Sequence, residues 1–175
     1  MRIWAAVLAA CVLTAAPARA ENFECVWRAM TMEHRAIFTN GIRSGSDVVA
    51  LSQSGRISED MLLAPMTGCG VAESQAEMLG QYLAARGLAQ SLRAILITEH
   101  GLHEDQLAGL TAGITAADRH AFAEAVSTGG QPSEELVMRV RESVAALGPQ
   151  PDNSALFRAA GEYVFAHSLV EELAR

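Results

Sequence analysis

PSEELVMRVRESVAALGP, residues 132–149, carries the marks of an amphipathic helix from its first turn to its last. Leu136, Val140, Val144 and Leu147 recur at helical spacing and form one apolar stripe. Pro132-Ser133-Glu134-Glu135 supplies the start and Gly148-Pro149 the stop. Glu135 and Arg139, four residues apart, pair on the opposite face.

The same grammar extends in both directions. Downstream, residues 152–154 cap a final helix carrying Leu156, Phe157, Ala160, Val164, Phe165, Leu169 and Leu173. Upstream, Gly129-Gly130 ends a helix that Thr115 and Asp118 open as a capping box. Asp105 to Ile114 is a short helix weakened by Gly109 and Gly113. Ala72, Ala76, Leu79 and Leu83 form another stripe, and Leu88, Leu92, Ile95 and Leu96 continue it to Gly101. Arg86-Gly87 lies between these two groups, which leaves either a bend in one rod or a tight corner.

Nearer the N-terminus, Phe23 to Asn40 reads as one helix with Val26, Met30, Ile37 and Phe38 inward and Gly41 as its stop. Ser44-Gly45-Ser46 is a link. Asp47 to Gln53 and Ser58 to Ala64 are short helices, the second capped by Ser58 and ended by Pro65. Val48-Val49 and Ile95-Leu96-Ile97 are the β-branched runs of note, and both lie in helix-forming surroundings. The expectation is an all-α protein of about six to eight helices, a compact bundle or an orthogonal array.

The first twenty residues read as an export signal. Arg2 gives a positive start, Ile3 to Ala16 an apolar core, and Ala18-Arg19-Ala20 a small-x-small cleavage site. Cleavage would leave residues 21–175 as one all-α domain, periplasmic or secreted, without a transmembrane segment. The alternative is lipidation at Cys11 within Leu8-Ala9-Ala10-Cys11, but cutting there leaves too short an apolar core.

Beyond residue 20, eleven arginines face twenty acids, a net charge of −9, which disfavours nucleic acid and anionic membranes as partners. The chain has no lysine, so Schiff-base, P-loop and Ser–Lys chemistries are excluded. It also lacks Cys-x-x-Cys, Gly-x-Gly-x-x-Gly and Gly-x-Ser-x-Gly. Glu134-Glu135 and Glu171-Glu172 are adjacent acids on helices and diverge by about 100°, which suits a solvated face. No motif calls for an enzyme, and none assigns a cofactor.

Cys25 and Cys69 are expected to form a disulfide in an oxidising compartment. Trp27, two residues from Cys25, is expected to pack over that bridge, and most methionines to fill the core. Isolated His34, His120 and His167 read as surface or hydrogen-bonded residues. The one dense donor cluster is Glu99, His100, His103, Glu104 and Asp105, a candidate site for a divalent transition metal. Its competing explanation is a polar corner between two helices. The leading functional expectation is therefore a non-enzymatic envelope module that binds another protein or a small apolar ligand between its helices. A metal-binding or metal-sensing role at His100 and His103 is the alternative.

Overall fold

The structure is a computed structural model that describes residues 21–43, 58–127, 132–147 and 154–175. Among the described residues the regular structure is helical throughout. Residues 21–29 form α1, followed by α2 (Met32–Arg43) and α3 (Glu59–Gly68). A 3-10 turn over Glu73–Gln75 leads into α4 (Ala76–Thr98), then α5 (Glu104–Ala112) and α6 (Ala116–Ser127). Helices α7 (Glu134–Ala145) and α8 (Ser154–Leu173) complete the array.

The long helices α4 and α8 pack along each other and form the spine. Two apolar clusters lie along it. Phe23, Val26 and Trp27 of α1 and Met30 just after it meet Phe38 of α2, Met61 and Met66 of α3, and Leu79, Tyr82 and Leu83 of α4. The other cluster joins Leu92 and Leu96 of α4 to residues of α5, α6 and α7 and to Leu156, Ala160 and Val164 of α8. Val170 and Leu173, at the far end of α8, pack on the first cluster, so α4 and α8 run antiparallel. Burying a leucine or phenylalanine of this kind contributes about 1.5–3 kcal/mol.

Helix α7 keeps its predicted start and its stripe through Val144, but it ends at Ala145, so Leu147 lies in the turn beyond it. Leu136, Val140 and Val144 are buried, Ser133 Oγ accepts the Leu136 N–H at 3.3 Å, and Arg139 meets Glu135 at 2.9 Å. Helix α8 differs at one predicted core residue: Phe157 is 39 % exposed.

Several local expectations change. Phe23–Asn40 is divided at Thr31, whose Oγ1 accepts the His34 N–H at 3.1 Å and so starts α2 afresh. Pro65 lies inside α3 rather than at its end, and the helix continues to Gly68. Its cap residue Ser58 has extended backbone, but its side chain makes no cap bond. Ala72 and Ala76 are exposed, so the stripe of α4 begins at Leu79.

Finally, α4 runs unbroken through Arg86-Gly87. A Cβ at position 87 would lie 2.9 Å from the carbonyl carbon of Phe38 and 3.1 Å from the amide of Thr39. Glycine is thus where α2 crosses α4 at close range, and tertiary contact overrides its local tendency to end a helix. The expected helix Asp47–Gln53 and the Ser44-Gly45-Ser46, Gly129-Gly130 and Gly148-Pro149 breaks lie outside the described residues.

The predicted capping box at α6 is present. Asp118 Oδ2 accepts the Thr115 N–H at 3.0 Å and its hydroxyl at 2.7 Å, while Thr115 Oγ1 accepts the Asp118 N–H at 3.2 Å. Burial acts to raise the Asp118 pKa, but the Thr115 hydrogen bonds and the charges of Arg139 and Arg119 outweigh it, so the value is lowered. A carboxylate whose pKa is depressed by folding contributes stability above its unfolded pKa, about 3.9, and loses it as pH falls through the folded value. Asp118→Asn should therefore cost about 1 kcal/mol at neutral pH, the usual worth of a cap. Urea midpoints should show that difference closing as pH drops below about 4; a difference independent of pH would contradict the role of the charge.

Candidate functional site

Helices α6, α7 and α8 enclose an apolar groove of about 680 Å³. Its walls combine the edge of the cluster around Leu92 and Leu96, namely Phe122, Val140, Val144 and Phe165, with the less buried Val137, Phe157 and Gly161. On α8, Phe157, Gly161 and Phe165 recur every four residues; on α7, Val137, Val140 and Val144 line the facing wall. Phe122 of α6 closes one side, its ring edge-on to Phe165 at 5.8 Å between centroids. The polar lining includes Arg141, Arg158 and Glu162.

Gly161 determines the depth of this groove. It lies within α8, where glycine costs about 1 kcal/mol relative to alanine. A Cβ there would meet only Val140 Cγ1, at 3.9 Å, which is ordinary contact. Helix packing therefore does not require glycine at 161, whereas it does at 87. Any larger side chain at 161 would enter the groove.

The metal candidates occupy the corner between α4 and α5. Gly101 has φ +69°, and the Leu102 N–H donates to Leu96 O at 3.0 Å, which turns the chain between the two histidines. The His103 N–H donates to Gln106 Oε1 at 2.9 Å at the start of α5, and Glu104 pairs with Arg93. Glu99, His103, Glu104 and Asp105 are exposed and His100 is half-buried. Among the described residues no three His, Cys, Asp or Glu side chains come together in a group that could hold a metal ion. The geometry of Glu99, His100, His103, Glu104 and Asp105 fits a capped corner.

The remaining candidates have structural surroundings. Cys25 and Cys69 stand at disulfide distance, S–S 2.04 Å and Cα–Cα 5.8 Å. Trp27 is buried in the same cluster, with the Arg86 guanidinium 5.9 Å from its ring centroid. Met30, Met61 and Met66 are core residues, whereas Met32 and Met138 are exposed. His120 pairs with Glu172 at 2.9 Å. His167 is 3.6 Å from Glu171, and burial lowers its pKa despite that carboxylate.

Sequence reasoning found the α7 stripe and most of the α8 core but missed the groove, because its walls come from three helices. The available signals were Gly161 in mid-helix and the spacing of Phe157, Gly161 and Phe165. No protein-family model matches this chain, and neither a curated protein nor a solved structure matches it.

Proposed function

We propose that this chain is an exported, non-enzymatic binding module that takes a small apolar ligand with an anionic head in the groove between α6, α7 and α8. The groove itself carries the proposal: about 680 Å³, walled by Phe122, Phe157, Phe165 and three valines. Small-molecule sites typically measure about 300–1,000 Å³ and combine apolar walls with a few orienting polar groups. Arg141 and Arg158 supply cations against the single carboxylate of Glu162, which favours an acidic head over a basic one. Export rests on the signal-like first twenty residues and on the cysteine pair. Among the described residues no helix is long and apolar enough to cross a membrane.

A fluorescent long-chain fatty acid is a direct probe. Wild-type protein should bind it saturably with one-to-one stoichiometry. Gly161→Leu, which projects a side chain into the groove, should weaken binding at least about tenfold, or roughly 1.4 kcal/mol. Equal affinity in the two proteins would reject the groove as the site.

A further inference from the structure

A second cleft, sharing no lining residue with the groove, has the opposite character. Glu24, Trp27 and Arg28 of α1, Arg35 of α2, Arg86, Gln90 and Arg93 of α4, and Tyr163 and His167 of α8 enclose about 350 Å³. Four arginines face one carboxylate in the lining, and with Glu104, the partner of Arg93, the formal charge is +2 on a chain whose net charge is −7. His167 lies 3.6 Å from Glu171 at the edge of the cleft, and its burial favours the neutral ring.

The cations are held in place rather than merely nearby. Glu24 accepts from Arg28 Nε at 3.2 Å, Arg86 Nε at 3.3 Å and Tyr82 Oη at 2.9 Å. Arg86 is further fixed over the Trp27 ring. One carboxylate thus serves two guanidinium groups. Arg93 is paired at the margin with Glu104. Arg35 differs: its Nε is buried and has no hydrogen-bond partner among the described residues. A buried N–H left unpaired is costly, and a guanidinium presents its donors in a fork that matches an oxyanion.

We infer that this cleft binds a small phosphate-class oxyanion, either inorganic phosphate or the terminal phosphate of a small ester. A charge of about −2 offsets this excess of +2, which a monocarboxylate would not. Arg35, whose Nε is unpaired among the described residues, and Arg93, whose partner Glu104 is exchangeable, contribute the donors, and Glu24 competes with the ligand for Arg28 and Arg86.

Isothermal titration of the chain from residue 21 onward, at constant ionic strength, tests this with inorganic phosphate, glycerol phosphate and acetate. One equivalent of phosphate or phosphate ester should bind, with acetate at least tenfold weaker; tighter binding of the ester would identify the ester as the natural form. Arg35→Gln and, independently, the more exposed Arg93→Gln should each weaken phosphate binding at least fivefold. Glu24→Gln should tighten it severalfold. No phosphate binding at millimolar concentration, acetate binding as well as phosphate, or affinity unchanged in both arginine variants would each overturn the inference. Gly161→Leu should leave phosphate binding intact, which separates this site from the groove.

Discussion

Replacing Cys25 and Cys69 together with serine should cost about 4 kcal/mol of folding stability. The two cysteines are 44 residues apart, and closing a loop of that length removes chain entropy from the unfolded state. The link also joins α1 to the turn after α3. Around it, Phe23, Val26 and Trp27 of α1 pack against Met61, Met66 and Val71. A short helix of that kind is weakly stable alone and depends on its packing. Thermal unfolding should shift by roughly 8–16 °C, at about 2–4 °C per kcal/mol for a chain of this size. Wild-type protein under reducing conditions should match the double serine variant. Unchanged midpoints would show that the pair contributes nothing to stability.

The second large effect is a difference of sign between two glycines in mid-helix. Gly87→Ala gains about 1 kcal/mol in helix propensity, yet its Cβ would meet Phe38 backbone and Cβ at 2.9 Å. Neither is a flexible side-chain end, so α2 must move away from α4. Overpacking of this kind costs about 1–3 kcal/mol, and net destabilisation is expected. Gly161→Ala has the same intrinsic gain and only the 3.9 Å contact with Val140, so it should stabilise by up to about 1 kcal/mol. Urea midpoints of the two variants should therefore move in opposite directions. Movement in the same direction would mean that helix propensity, or some shared effect, governs both sites.

These glycines also mark how far the sequence could be read. Periodicity and capping residues identified α7 and most of α8 because those signals are local: Ser133, Leu136, Val140 and Val144 each act within one helix. Thr115 and Asp118 likewise reveal a cap through three residues of chain. Gly87 could not be read in this way. Its local tendency is to stop a helix, and the residue that explains it, Phe38, is on another element. The break at Thr31 was missed because apolar spacing continues across it from Met30 to Phe38.

The candidate sites follow the same division. His100 and His103 are close in sequence and were visible at once, but Gly101 turns the chain between them, and among the described residues no three donor side chains gather there. The arginine cleft gathers Arg28, Arg35, Arg86 and Arg93 from three helices, and no sequence spacing announces it. A ligand held between helices was expected, but no spacing said which helices would hold it. The groove's position became legible when α6, α7 and α8 were placed side by side.

Native mass spectrometry of the chain and its Gly161→Leu variant, isolated side by side from the cell envelope, tests the binding role most directly. The expected result is one small apolar, acidic molecule on the wild-type chain and none on the variant. A wild-type chain that carries no ligand, or the same adduct on both proteins, would contradict a ligand-binding role for the groove.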